Sequence, residues 1–390
     1  MSLSYISLKP ETPLRLGGVK YKSQYLATEE FISGAIVRGT LAEYMILNGR
    51  KSEIKNLVKN IRFGFLYPSY HPDILSYPIP LTALTCKSDF GFKSNKGHGV
   101  FDQLIPLIAF KELEKQGAKF PVAFTFKCKE CMGRMENING YYIKDENYKI
   151  IRTERYTQTK TAINRIRKSA EEKMIYSVTA IKPKVYIENK PHDIFFNGKI
   201  YPESEIVDEV LKALNSIGIG SHTTRGYGKV SARRISVKEH EPLIKRIQSF
   251  NEKLSEVWSE LLSIVKSDSL PKEPDATYFS VDLISPAILD DNGVPTLKLT
   301  IPVKGDKIEP ILFSTKPVYL SGWSTSWTLP KPSTYGAAPG STYVFKINKS
   351  LDDFTPVLER LEFEGIGKRR DEGYGEVKIC SAFHMEVNQI

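Results

Sequence analysis

Four residues between positions 86 and 131 have the types and spacing of a metal site. Cys128 and Cys131, in KCKECMGR, stand three positions apart, so two thiolates can face one ion from a tight turn. Cys86 and His98, in CKSDFGFKSNKGHGVFD, supply the other two ligands of a tetrahedron, with His71 the alternative to His98. The ion that suits such a set is structural zinc. A redox role for C-x-x-C would call for a thioredoxin-like unit, and none surrounds it. Cys380, on a final strand, reads as core.

Acid-base chemistry has one candidate, His222, which lies in a glycine loop and titrates near neutrality. No second histidine is placed to complete a pair. Asp89, Asp102 and the Asp290-Asp291 turn form no spaced carboxylate cluster for two-metal cleavage. Nowhere does the chain read G-x-x-x-x-G-K-[ST], so nucleotide-triphosphate chemistry is not expected.

The loop that holds His222 occurs twice. Gly218-Ile-Gly220-Ser-His-Thr-Thr-Arg-Gly226-Tyr-Gly228 and Gly365-Ile-Gly367-Lys-Arg-Arg-Asp-Glu-Gly373-Tyr-Gly375 share glycines, isoleucine and tyrosine at identical spacing. Each follows an amphipathic stretch, Ile206 to Ile217 or Leu351 to Leu361, and precedes a β-prone run. A repeat of this length implies duplicated domains. Glycine reaches positive φ cheaply and lets another backbone approach. Exposed amides beside Arg225, or beside Lys368, Arg369 and Arg370, suit phosphates, and Tyr227 and Tyr374 are candidates to stack on bases. Between the repeats, residues 239–267 place Leu243, Ile247, Phe250, Leu254, Trp258 and Leu261 at helical spacing. LPKEP follows as a linker, and TYFSVDLIS opens the second domain as SLSYISLKP opens the first.

Charge points to the same kind of partner. The chain has 390 residues, 55 Lys/Arg against 45 Asp/Glu, and a net charge of +10. Residues 149–234 carry 17 Lys/Arg against 9 Asp/Glu, most of that excess. There Arg152, Arg155, Lys160, Arg165, Arg167 and Lys168 interleave with threonines, as phosphate and sugar donors or as a solvated helix face. No apolar run reaches membrane-span length, no signal-peptide pattern is present, and four cysteines make no disulfide framework. A cytoplasmic protein is expected.

With these features in view, the chain resembles the RAMP proteins of type III CRISPR-Cas effector complexes. The resemblance rests on Ser33-Gly34-Ala-Ile-Val-Arg38-Gly39, on both glycine loops, and on Ser321-Gly322-Trp323, Lys331-Pro332 and Ala338-Pro339-Gly340-Ser341-Thr-Tyr343-Val-Phe345. The last set is similar to the two-domain Cas-five-group subunit of subtype III-D. The resemblance implies an α+β fold of two ferredoxin-like (RRM-like) domains, each with a glycine-rich loop between its last helix and last strand. The expected boundaries are 1–238 for the first domain, with a zinc-binding insertion at about 64–150, 239–275 for helix and linker, and 276–390 for the second domain. It further implies a non-catalytic subunit that holds the five-prime repeat-derived tag of the CRISPR RNA (crRNA). Such a subunit joins the large polymerase-type subunit to the backbone subunits and meets target RNA indirectly. The family's RNA-contacting elements fall on Ser33, Gly34, Arg38 and Gly39, on Gly220, His222, Arg225, Gly226 and Tyr227, and on Gly367, Lys368, Arg369, Arg370, Gly373 and Tyr374. The alternative is a metal-independent endoribonuclease that processes precursor crRNA, with His222 acting at a 2′-hydroxyl. The strands after the loops, KVSARRISV and EVKICSAFH, lack the aromatic pattern of a sequence-reading RRM.

Overall fold

The computed structural model describes residues 3–17, 25–26, 28–55, 61–202, 205–237, 241–265, 270–303, 306–324, 329–348 and 351–388. Among these, no helix is long and apolar enough to cross a membrane.

The first unit begins with β1 (Ser4–Pro10), α1 (Gly34–Leu47), β2 (Arg62–Phe63) and β3 (Tyr67–Ser69). A long excursion follows, with β4 (Ala83–Cys86), β5 (Val100–Asp102), α2 (Leu104–Lys115), β6 (Met135–Asn137), β7 (Arg155–Asn164) and β8 (Ser169–Ile181). The chain then returns through β9 (Phe195–Tyr201), α3 (Ile206–Ile217) and β10 (Val230–Ile235). The main sheet is antiparallel in the order β10-β1-β9-β2, with β3 also on β9. Apolar periodicity decides which faces meet. Val37, Leu41 and Met45 recur along α1, and Val207, Val210 and Leu214 along α3; all are buried with Ile6 and Leu8 of β1 in one core. Each such side chain contributes roughly 1.5–3 kcal/mol by leaving water.

The second unit opens with α4 (Leu243–Val265), which carries the expected stripe inward, and continues through β11 (Thr277–Leu283), β12 (Leu312–Ser314), β13 (Thr342–Ile347), α5 (Leu351–Glu364), β14 (Val377–Ile379) and α6 (Phe383–Glu386). Its sheet is antiparallel in the order β12-β13-β11-β14. Arg246 of α4 grips the Glu362 carboxylate of α5 through two bonds, at 2.8 and 2.7 Å. Residues 238–240 and 266–269, at the ends of the expected helix, lie outside the described set.

Two expectations are corrected here. The insertion does not span 64–150: Tyr67–Ser69 pairs with β9 in the main sheet, so the excursion runs from 70 to 194 and includes the β7–β8 hairpin. The basic stretch at 152–168 is therefore a strand and turn rather than a helix face. β-Branched threonines favour the pleat, and cross-strand hydroxyls meet at Thr157–Thr179 (3.3 Å) and Thr159–Ser177 (3.2 Å). Nor is the excursion a satellite of the first unit alone, because Leu104, Ile108 and Leu113 of α2 join the second unit's core. Beside them, the fully buried His384 of α6 bonds Asp102 through Nδ1 (2.5 Å) and Asp282 of β11 through Nε2 (2.8 Å).

Candidate metal centre and nucleic-acid interface

Cys86 ends β4 and is fully buried; β4 pairs on one side with β5 and on the other with β6. Cys128 and Cys131 flank a turn in which Cys128 N–H donates to Gly133 O (3.0 Å) and Met132 N–H to Cys128 O (2.8 Å). The thiols of Cys86 and Cys131 lie 3.5 Å apart, and Cys128 Sγ lies 3.6 Å from His98 Nδ1. All four ligand atoms fall within 4.8 Å of one another. A tetrahedron with Zn–S of about 2.3 Å has edges of roughly 3.5–3.8 Å, so the set has the size of a metal site. Burial works to raise the Cys86 thiol, but the Asp89 amide and the Cys131 thiol offset it and hold the group down at about 6. His98 is raised by hydrogen bonds to Cys86 and Cys128, and its Nε2 faces the Asp89 carboxylate at 3.5 Å, an orienting partner for a ligand imidazole. His71 sits elsewhere, its Nδ1 accepting from Asp73 N–H.

The two glycine loops are built alike. Ile219 N–H donates to Gly228 O (2.8 Å), and Ile366 N–H to Gly375 O (2.9 Å). His222 and Arg369 take the same left-handed turn, with φ of 64° and 57°. A Cβ on Gly228 would lie 2.2 Å from Ile219 O, and one on Gly375 1.8 Å from Ile366 O, so the backbone approach excludes any side chain. Tyr227 and Tyr374 are only 6% and 7% exposed. Their rings pack inward and anchor the loops, the alternative to stacking on bases; Tyr227 Oη donates to Gln158 Oε1 of the hairpin (2.9 Å).

Charge separates the two loops. In the first, Arg225 is exposed, and Lys160 reaches from the hairpin to 5.5 Å over the Tyr227 ring. Arg15 donates from Nη1 to Ser221 Oγ (2.7 Å). His222 is held below the usual histidine range by burial and then by Arg15, Arg225 and Lys160. Its Nδ1 is buried without a hydrogen-bond partner among the described residues. Also among those residues, no carboxylate lies within 4.0 Å of Arg15, Lys160, Arg225 or the exposed Arg165 at the hairpin turn. Arg15 escaped sequence reasoning because 206 positions separate it from Ser221.

In the second loop the cations are engaged within the chain. Glu372, 5% exposed, is bonded by Arg38 (2.9 Å), Lys331 (2.6 Å) and Arg369. Arg369 also covers the Tyr374 ring at 4.7 Å. Lys368 pairs with Asp290 at 3.2 Å and Arg370 with Glu364 at 3.5 Å. Gly373 touches the first unit so closely that a Cβ would lie 2.4 Å from Phe63 O. The α1 entry, Ser33 and Gly34, faces this joint, where a Cβ on Gly34 would lie 2.6 Å from Glu372 O; one on Gly39, a turn later, would meet nothing. Gly220 and Gly226 belong to the first loop and Gly367 to the second.

The chain matches two family models: that of the RAMP superfamily over residues 7–231, and that of CRISPR-associated protein (Cas_Cmr3) over residues 252–381. No curated protein matches it. Among solved structures, a chain of the type III-B Cmr-beta complex bound to cognate target RNA is 12% identical, with 96% of each chain covered and a TM-score of 0.42. A chain of the Csm3-Csm4 subcomplex of a type III-A interference complex is 16% identical, covering 88% of this chain and 92% of that one, with a TM-score of 0.36. A Cas6 product complex gives 11% identity over 51% of this chain and 83% of that one, with a TM-score of 0.28.

Proposed function

The chain belongs to the RAMP superfamily, and from that membership we propose that it is a non-catalytic RNA-binding subunit of a type III CRISPR-Cas effector complex. In this reading it holds the five-prime repeat-derived tag of the crRNA and joins the large subunit to the backbone subunits. Each unit is a ferredoxin-like domain, a reading supported by the β10-β1-β9-β2 sheet with α1 and α3, and by the matching order β12-β13-β11-β14. The second unit reaches that order with α4, ahead of its first strand, packed into the same core as α5.

The observation that carries the reading is the unequal charge of two loops of equal shape. The second pairs its cations within the chain, Arg369 with Glu372, Lys368 with Asp290 and Arg370 with Glu364, and fastens the domains together. At the first, Arg15, Lys160 and Arg225 have no carboxylate partner within 4.0 Å among the described residues, beside a long basic hairpin. Guanidinium forks and a lysine at one loop bind phosphate oxygens and leave bases largely unread, as backbone recognition requires. Cys86, His98, Cys128 and Cys131 would hold a structural zinc whose chemistry is cross-linking alone.

Labelled repeat-derived RNA titrated against Lys160→Ala/Arg225→Ala at several salt concentrations tests this. Affinity should fall alike for all sequences, and the salt slope should drop by roughly 0.7 for each lost phosphate contact. An unchanged slope in a folded variant would sink the reading.

Catalysis is tested separately. A general base operates best with a pKa near the working pH, whereas His222 is pushed downward by burial and three cations. Purified protein should leave repeat RNA intact, and His222→Ala should weaken binding slightly. Cleavage that disappears in His222→Ala would establish the ribonuclease instead.

A further inference from the structure

The outer face of the metal-bearing insertion carries cations that neither the metal nor the first loop uses. β4 and β6 pair with Cys86 opposite Met135, and one step further Lys87 N–H donates to Arg134 O at 3.0 Å. Arg134 in turn bridges Lys127 in antiparallel register. Side chains alternate across a strand, and directly opposed residues share a face. Cys86, Met135 and Cys128 therefore point into the small core beside the metal cluster, where all three are buried. Lys87, Arg134 and Lys127 point outward and are exposed, side by side across three chain segments at a spacing of about 4.8 Å. Lys129 is exposed in the turn that follows. Like charges directly opposite one another destabilise a sheet, and among the described residues only Lys87 of this row has a carboxylate beside it, Glu136 at 3.2 Å. Among the described residues no carboxylate lies within 4.0 Å of Lys127, Lys129 or Arg134.

We propose that this row is a second RNA-backbone contact, separate from the first glycine loop and held rigid by the fold around the metal cluster. Lysine is depleted from protein–protein interfaces, whereas a lysine-arginine row is the usual complement of phosphates. The proposal rests on the RNA-binding reading above and extends the path of the strand over the insertion.

The test uses the full chain with labelled single-stranded oligouridylate, comparing Lys127→Ala/Lys129→Ala/Arg134→Ala with Lys160→Ala/Arg225→Ala. Bound metal and melting temperature serve as fold controls. The triple variant should lower affinity about tenfold at moderate salt and reduce the salt slope by roughly 2, from three lost contacts. It should also erase ultraviolet cross-links to residues 127–134, which the Lys160/Arg225 variant keeps. A wild-type slope in the triple variant and no cross-links to residues 127–134 in the wild-type chain, with the Lys160/Arg225 variant impaired, would overturn this second contact alone. If neither variant changes binding, the RNA reading itself fails. Normal RNA binding with lost assembly onto partner subunits would reassign the row to a protein and overturn the proposal. Should the triple variant lose its metal, Lys127→Gln and Arg134→Gln singly, each expected to reduce the slope by roughly 0.7, decide the matter.

Discussion

Replacing Cys128 with serine should empty the metal site and loosen the insertion around it. The wild-type chain is expected to carry about one zinc by elemental analysis, and the variant none. Among the described residues the core beside the cluster is small, made of Cys86, Phe101, Cys128 and Met135 with Leu84 and Phe126 packed beside it, so the metal carries much of the local order. Structural zinc contributes roughly 10–16 kcal/mol in small finger peptides. Here β4, β5 and β6 already pair, so a part of that, several kcal/mol, should appear as a lower melting temperature. Proteolysis near residues 120–134 should also be faster. Chelation should reproduce the variant's behaviour in the wild type. A wild-type chain that purifies folded without any metal would end this reading.

A comparable loss is expected at His384, whose side chain is fully buried. Its imidazole lies between Asp102 and Asp282, and Asp282 also accepts from Thr342 (2.8 Å) and Ser280 (3.0 Å). Burial opposes the charged ring, but the two carboxylates prevail and raise it to about 10. Removing one member of a buried charged group costs about 3–5 kcal/mol, so His384→Gln should destabilise the fold by that order. The pH dependence has a defined sign. The unfolded histidine titrates near 6.5, so the stabilisation is complete below that value and is lost as pH rises toward about 10. Lys378 has the opposite sign over much of this range, because burial and Arg246 push it down to about 7. The stability difference between wild type and His384→Gln therefore isolates the term, and it should shrink between about pH 6.5 and 10. A difference that stays constant across that range would mean the ring is neutral in the folded protein.

Several features were legible in the residues because local chemistry dictates them. The C-x-x-C turn, the α4 stripe and both glycine loops depend on spacing, on 3.6-residue periodicity and on positive φ, all carried by short stretches of chain. Cys86, Cys128 and Cys131 were likewise readable as three ligands, but the choice between His98 and His71 was made by the fold, which brings His98 Nδ1 to 3.6 Å from Cys128 Sγ. Position in space was decided elsewhere. Nothing in Gly-Ile-Gly-Lys-Arg-Arg distinguishes a loop that offers its charge from one that turns it inward; burial of Glu372 against Arg38, 334 positions away, makes that difference. The tyrosines followed the same rule, since a ring beside glycines faces a base or the core according to what packs over it. The insertion's true limits depended on which strand β9 paired with, and Asp102 and His384 came together across 282 positions. Interactions within a turn or helix are encoded by neighbours in sequence, whereas sheet order and buried ion pairs are chosen only when distant segments compete for the same partner.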